Sequence, residues 1–181
     1  MQDPSVDTVP LDREKSTLMS VESLKIRPAT EADVPLLLKF ILSIAEYEKL
    51  LDEVVATEET LRESLFGQHP AAEALIGEWE GEPAAFAVYF YNFSTFTGWP
   101  GLYLEDLFVK PEYRQRGIGK LMLKRLAKIA MERGCPRLEW VALDWNEPAI
   151  EFYEGLGAKQ MSDWRLFRMT GNPLKQLAKD K

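Results

Sequence analysis

The chain has 181 residues, a hydrophobic fraction of 46% and a formal net charge of −7. This length and composition predict one globular domain, and no apolar run reaches the ~18 residues of a membrane span, so we expect no membrane partner. The chain has one cysteine, Cys135, which excludes an internal disulfide and fits the reducing cytoplasm. It also has one histidine, His69, which argues against a histidine-based metal site and against a Ser-His triad, so we expect no metal.

The charge is unevenly distributed along the chain. Residues 110–133 carry eight basic and two acidic side chains, a net +6, which leaves −13 for the remaining residues. Nucleic acid is a poor partner for such an acidic background, because its binding needs a broad basic face. The distribution favours a small polyanion bound at one place and a cationic co-substrate bound elsewhere.

The first half of the chain begins with a polar segment and then alternates between structural types. Residues 1–23 are predicted to be a flexible tail without an apolar signal region. Residues 24–29 alternate like a strand, and Thr30 is predicted to cap a helix that runs to about residue 50. Thr57 is predicted to start a second helix over residues 58–67, and residues 73–93 form two strands around a turn at 80–83.

The second half continues the mixed pattern. Residues 101–109 are predicted to form a strand, followed by a glycine turn and a helix that runs to about residue 134. A further strand is predicted at 137–145, a short helix at 146–157 and a last strand at 164–169. Helices and strands therefore belong to one compact α/β domain over residues 24–181.

The turn "EYRQRGIGK" at residues 112–120 combines three cationic side chains with two glycines, whose backbone no side chain covers. A P-loop would need glycine at position 114, and a dinucleotide fingerprint would need glycine at 122, where the chain has Arg114 and Met122. Gly117 and Gly119 allow backbone N–H groups to approach a phosphate at the positive end of a helix dipole. Considered alone, the glycines could equally serve only a tight turn.

The segment "LEDLFVKPEYRQRGIGKLML" resembles the acetyl-CoA motif of the GNAT family of N-acetyltransferases, and "LDWNEPAIEFYEGLGA" resembles the second block of that family. The segments "IRPATEADVPLLLKFILSIAEYEKL", "YLEDLFV", "WNEPAIEFY" and "WRLF" look like the spermidine/spermine branch, which includes thialysine acetyltransferases. The resemblance implies an α+β acyl-CoA N-acyltransferase fold with a mixed, mostly antiparallel central sheet flanked by helices. It also implies a homodimer, for which residues 87–93 could supply apolar interface surface.

The resemblance implies acetyl-CoA as the co-substrate and assigns residues to its parts. The strand before the turn would pair with pantetheine, and the turn would hold the pyrophosphate. Asn146 would bind pantetheine or cap the helix that follows it. The expected cofactor-binding residues are Leu107, Phe108, Val109, Arg114, Gln115, Arg116, Gly117, Ile118, Gly119, Lys120, Asn146, Glu147, Pro148 and Ala149.

Amine acetylation needs proton transfer, because an alkyl amine of pKa ~10.4 is only about 0.05% neutral at pH 7. Glu105 is the candidate base or amine anchor, since partial burial in its apolar strand would raise its pKa. Asp106 would point to the opposite strand face as a surface or ion-paired residue. Tyr153 matches the general-acid tyrosine of the family, although its helical spacing alone indicates a core residue. Transfer would be direct within a ternary complex, and Cys135 would take no part.

The amine site is expected at family positions that hold the cationic substrate, namely Tyr47, Glu48, Glu139 and Trp140, together with Glu105. The segment "AKQMSDW" before residues 164–169 is shorter than in polyamine enzymes of the branch, and Asp163 is its one carboxylate. This favours a short diamine or an aminoalkyl amino acid over long polyamines. A protein or peptide acetyltransferase and a non-catalytic acyl-CoA sensor remain as alternatives.

Overall fold

The computed structural model describes residues 23–179, and the predicted tail over residues 1–23 lies outside it except for Ser23. The chain divides into two compact units, with the boundary between Val141 and Ala142. None of the helices among the described residues has both the length and the apolar character needed to cross a lipid bilayer.

The first unit is built on a five-stranded sheet whose spatial order follows the chain order. The first four strands pair antiparallel with their neighbours, and the fifth pairs parallel to the fourth. This confirms the predicted mixed, mostly antiparallel sheet. The strands are β1 (Leu24–Pro28), β2 (Glu73–Trp79), β3 (Glu82–Ser94), β4 (Trp99–Val109) and β5 (Leu138–Glu139).

Three longer helices belong to the same unit: α1 (Val34–Glu48), α2 (Glu58–Phe66) and α3 (Ile118–Glu132). The predicted helix starts are confirmed. The N–H of Thr30 donates to Asp33 Oδ2 at 2.7 Å and closes a short 3₁₀ turn ahead of α1. The hydroxyl of Thr57 accepts from the N–H of Thr60 at the start of α2, so side chains satisfy backbone donors that the helix leaves open.

Each face of the sheet packs against helices. On one face, Phe40 of α1 stacks on Phe86 of β3, with ring centroids 5.0 Å apart. On the other face, α3 approaches β2 so closely that a Cβ at Gly77 would lie 3.1 Å from Met122 Sδ. The core of the first face comprises Leu37, Phe40, Leu65, Ala74, Ile76, Phe86 and Phe108.

The second unit contains α4 (Glu147–Glu154) and α5 (Gly171–Leu177). The prediction of a last strand at 164–169 is wrong: this stretch forms neither helix nor strand. A strand needs a hydrogen-bonded neighbour, and the described residues 142–179 contain no other strand with which it could pair. The strand predicted at 137–145 is also shorter than expected, because only Leu138 and Glu139 pair with β4.

Candidate active site

A β-bulge interrupts β4 at the two acids of its apolar run. Val88 of β3 lies opposite Asp106, whereas the next residue, Tyr89, lies opposite Leu104, so Glu105 is left without a partner in the ladder. Because Val88 and Tyr89 point to opposite faces of β3, Leu104 and Asp106 also point to opposite faces of β4. The bulge therefore turns Asp106 toward the face that packs against α1.

The bulge reverses the burial expected for the two acids. Glu105 is exposed, and Asp106 is half-buried. Burial raises the pKa of Asp106 to about 6, with further contributions from the charges of Glu105 and Glu48. The expectation that Glu105 would be the partly buried acid and Asp106 a surface residue is wrong, because it assumed a regular strand.

Glu48, at the end of α1, belongs to the same group of carboxylates. Burial raises its pKa, and its charge acts on Asp106. Within residues 23–179, no lysine or arginine forms an ion pair with Glu48, Glu105 or Asp106. Three carboxylates without a cationic partner form an electrostatically unfavourable group, and a bound cation would relieve it.

β4 and β5 separate just before the bulge. They pair only at Leu102 with Leu138 and at Tyr103 with Glu139. Beyond Tyr103 the edge of β4, which includes Leu107, Phe108 and Val109, is not paired with β5. An unpaired strand edge presents N–H and C=O groups that an extended amide chain can meet as an added strand.

The turn before α3 presents a row of backbone donors. Gln115 and Gly117 both have left-handed φ values, of 61° and 77°. None of the N–H groups of residues 115–120 finds a backbone or side-chain acceptor within the described part of the chain. These residues include the first turn of α3, where the helix dipole is positive. The arrangement fits a phosphate or pyrophosphate.

The two arginines of the turn lie on aromatic rings. The guanidinium of Arg116 lies 5.5 Å from the ring centroids of both Trp79 and Tyr113. The guanidinium of Arg114 lies 4.9 Å from the ring of Tyr47, and its Nε donates to Val109 O at 3.0 Å. Arg114 thus contacts the end of β4 and the end of α1, while Arg116 lies on other rings. Lys120 is exposed at the start of α3.

Glu139, expected in the amine site, lies in a polar cluster within the first unit. Its Oε2 forms an ion pair with Nε of Arg137 at a distance of 2.8 Å. The Nε–H bond of Arg137 does not point at this oxygen, so the contact is not a hydrogen bond. The same oxygen accepts from Nδ2 of Asn92 at 3.0 Å. The charge of Glu139 is therefore already compensated by the protein, unlike that of Asp106. Trp140, which follows it, is half-buried.

The remaining candidates belong to the second unit. Asn146 precedes α4, and its backbone carbonyl accepts from the N–H groups of Ala149 and Ile150. Glu147 and Pro148 begin that helix. Tyr153 is half-buried near the end of the helix, with its ring 5.3 Å from that of Phe152. Asn146 occupies the predicted N-cap position of α4, but its side chain makes no capping hydrogen bond there.

Within the first unit, the structure brings the acids at positions 48, 105 and 106 together with Tyr47, the end of β4 and the turn. Sequence reasoning missed Asp106 as a member of this site. Two adjacent acids inside an apolar run were the signal that could have found it. In a regular strand with one buried face, one of the two acids would face the core without a cationic partner, which is costly unless the acid has a function. Residues 23–179 contain no group of His, Cys, Asp and Glu side chains arranged to hold a metal ion.

Comparison with known proteins gives consistent matches. Residues 41–158 match the acetyltransferase (GNAT) family. The thialysine N-epsilon-acetyltransferase of Sus scrofa is 40% identical over 167 residues, covering 86% of this chain and 98% of that protein. The L-ornithine N5-acetyltransferase NATA1 of Arabidopsis thaliana is 32% identical over a 200-residue alignment, covering 86% of this chain and 88% of that protein. A solved integron cassette protein from the mobile metagenome of V. cholerae has a TM-score of 0.73 at 29% identity, covering 87% of this chain and 99% of the other.

Proposed function

This chain belongs to the GNAT family of acetyltransferases, as its motifs predicted, and we propose that it acetylates a primary amine of a small substrate that carries a second positive charge. It is an N-acetyltransferase, and acetyl-CoA is the co-substrate of its family. The observation that carries the proposal is the group of three carboxylates at Glu48, Glu105 and Asp106, with which no lysine or arginine within residues 23–179 forms an ion pair.

The turn and the edge of β4 are proposed to hold the co-substrate. The N–H groups of residues 115–120 and the charges of Arg116 and Lys120 suit a pyrophosphate. The open edge of β4 at Leu107, Phe108 and Val109 suits the amides of pantetheine. Asn146, Glu147, Pro148 and Ala149 are proposed to contact the same molecule, by resemblance to the family.

The acids are proposed to prepare the amine. The amine arrives protonated, and it must lose one proton before its nitrogen can attack the thioester carbonyl carbon. A carboxylate whose pKa is raised to about 6 by burial is still ionised at pH 7 and accepts a proton more readily than an ordinary aspartate. Asp106 therefore joins Glu105 as a candidate base, acting directly or through a water molecule.

The transfer itself is proposed to be direct, within a ternary complex. The amine nitrogen forms a bond to the acetyl carbon and then loses its second proton to water, the carbon–sulfur bond of the thioester breaks, and the thiolate of CoA accepts a proton. Tyr153 is proposed as the donor of that proton, by its match to the family position. Replacing Tyr153 with Phe should lower turnover by about 10²–10⁴ while CoA affinity stays near that of the unchanged protein. Turnover at the unchanged rate would return Tyr153 to a packing role.

The substrate is proposed to be a short diamine or an aminoalkyl amino acid. The named relatives act on thialysine and ornithine, which are compact molecules with two amino groups. Asp163 is the one acid in the segment before Trp164, so a long polyamine would find few further partners there. Tyr47 and Trp140 are proposed to line the amine site, whereas Glu139 is a weaker candidate because Arg137 already pairs with it.

We also propose that the protein is a cytoplasmic homodimer. Of the stretch 87–93 predicted to supply interface surface, Ala87 and Tyr89 are buried and only Phe93 is exposed, so that prediction is wrong for most of the stretch. Phe93 is joined at the end of the β3–β4 hairpin by exposed Phe96 and Trp99, and exposed apolar surface is typical of interaction sites. Light scattering at micromolar concentration would test the dimer. A screen of small amines with acetyl-CoA consumption as readout tests the function, and absence of turnover with every diamine and aminoalkyl amino acid would contradict it.

A further inference from the structure

We propose that Arg114 is a positioning residue that connects the cofactor turn to the amine site, so that CoA and the amine strengthen each other's binding. The inference rests on the proposed function, and it assigns the Arg114 side chain a role other than phosphate contact. Its basis is the set of contacts that this side chain makes within the first unit.

The side chain of Arg114 turns back toward β4. Its Nε donates to the carbonyl oxygen of Val109 at 3.0 Å, which fixes the turn to the last residue of the strand. Its guanidinium lies 4.9 Å from the ring centroid of Tyr47 and 5.5 Å from that of Phe108. A planar guanidinium next to two aromatic rings is held in one orientation, which an ammonium group could not reproduce.

These contacts lead directly to the amine site. Tyr47 precedes Glu48, the last residue of α1, and the C-cap residue Lys49 follows with a left-handed φ of 62°. Phe108 follows Asp106 by two positions and lies on the same face of β4. Arg114 therefore contacts a neighbour of each of the two half-buried carboxylates, although it belongs to the turn that precedes α3.

The connection predicts a thermodynamic coupling. A phosphate bound by the N–H groups of residues 115–120 orders the turn, and the ordered turn holds Arg114 against Tyr47. Restriction of Tyr47 in turn fixes the end of α1, including Glu48, before the amine arrives. Coupling between two sites is reciprocal, so a bound amine must strengthen CoA binding by the same factor.

The test measures this factor by isothermal titration calorimetry. CoA replaces acetyl-CoA so that no transfer occurs, and thialysine serves as the amine probe. The Kd of thialysine is measured with and without saturating CoA for the unchanged protein and for Arg114→Gln, Arg114→Lys and Tyr47→Leu. We expect CoA to lower the Kd by roughly 5–20-fold in the unchanged protein. We expect less than a twofold effect in Arg114→Gln and Tyr47→Leu, and an intermediate effect in Arg114→Lys.

Arg116→Gln is the matched control. Arg116 lies two residues away in the same turn and also contacts aromatic rings, but those rings are Trp79 and Tyr113. Its removal should weaken CoA binding and leave the coupling factor unchanged. Melting curves of all variants check that each is folded, and Tyr47→Leu tests the same contact from the other side if Arg114→Gln fails that check.

Three results would overturn the inference: no coupling in the unchanged protein, full coupling retained in Arg114→Gln, or equal loss of coupling in Arg116→Gln. An assay of acetyl transfer by the unchanged protein distinguishes failure of this inference from failure of the proposed function. An active protein whose coupling does not depend on Arg114 contradicts the inference alone. A protein that acetylates no amine contradicts the proposed function.

Discussion

Asp106 lies opposite Val88 across the ladder between β3 and β4, and this pairing directs its carboxyl toward the face covered by α1. The pairing exists because Glu105 is bulged out of the ladder. One extra residue in β4 thus creates a half-buried acid beside an exposed one.

The first prediction concerns the pH dependence of catalysis. Asp106 must be ionised to accept a proton or to hold a cation, and its pKa is about 6. We therefore expect kcat/KM to fall as the pH decreases through about 6. Replacing Asp106 with Asn should lower kcat/KM at pH 7 and remove this acidic limb. If Glu105→Gln removes the limb and Asp106→Asn leaves it in place, then Glu105 is the titrating base.

The second prediction concerns stability. The folded state raises the pKa of Asp106 above its usual 3.8, so the buried charge opposes folding above pH 6, and this penalty disappears as the pH falls toward 4. Asp106→Asn should therefore increase the free energy of unfolding by about 1–3 kcal/mol at pH 7. Denaturant titrations at pH 7 and pH 4 measure this. A gain of equal size at both pH values would show that it does not come from the charge.

Parts of this account could be predicted from the sequence and parts could not. The caps at Thr30 and Thr57 and the glycine turn were predictable, because they depend on residues close together in the chain. The bulge at Glu105 was not, because it depends on the register between two strands. The contact between Arg114 and Tyr47 joins residues 67 positions apart, and no local pattern indicates it. The stretch 164–169 contains the aromatic and aliphatic residues that favour a strand, but it forms none, because pairing with a neighbouring strand is decided outside the local sequence.

The third prediction concerns the backbone of the turn. Gly117 has a φ of 77°, and a Cβ there would meet no atom within 4 Å, so a substitution strains the backbone without a clash. Gly117→Val should abolish the increase in melting temperature caused by CoA, whereas Gly117→Asn should retain part of it, because Asn tolerates this conformation.

Gly98 provides the control for the turn. It also has a positive φ, of 72°, and a Cβ at this position would likewise meet no atom within 4 Å, but it lies at the tip of the β3–β4 hairpin. Gly98→Val should lower the melting temperature by a similar backbone effect and keep the full CoA-dependent increase. Loss of that increase in both variants would mean that general destabilisation, and not the shape of the turn, is responsible.

The fourth prediction concerns the ion pair between Glu73 and Arg133, which connects β2 to the end of α3. Arg133 donates to both carboxylate oxygens of Glu73, and Tyr89 adds a hydrogen bond of 3.0 Å. These donors lower the pKa of Glu73, so the pair stabilises the fold above the usual pKa of 4.5 and loses this contribution as the pH falls below it. Because the pair is about half exposed, Arg133→Met should cost about 1 kcal/mol at pH 7.

A second ion pair on α3 provides the matched control. Nζ of Lys128 lies 3.8 Å from Oε1 of Glu132 on the exposed face of the helix. Lys128→Met should change the free energy of unfolding by less than about 0.5 kcal/mol. As the pH falls below 4.5, the free energy of unfolding should decrease less steeply for Arg133→Met than for Lys128→Met. Identical acid profiles for the two variants would remove Glu73 from the explanation.

The most direct measurement compares kcat/KM for diaminopropane with that for propylamine, which differs by one positive charge. At an effective dielectric constant of ~20, a charge pair at ~4 Å gives about 4 kcal/mol of raw attraction, and desolvation and screening should leave roughly 1–2 kcal/mol. We expect a roughly 5–30-fold preference for the diamine that weakens with salt, and little further gain for spermidine or spermine. A monoamine as good as the diamine, at low and high salt alike, would contradict the claim that Glu48, Glu105 and Asp106 form a cationic substrate site.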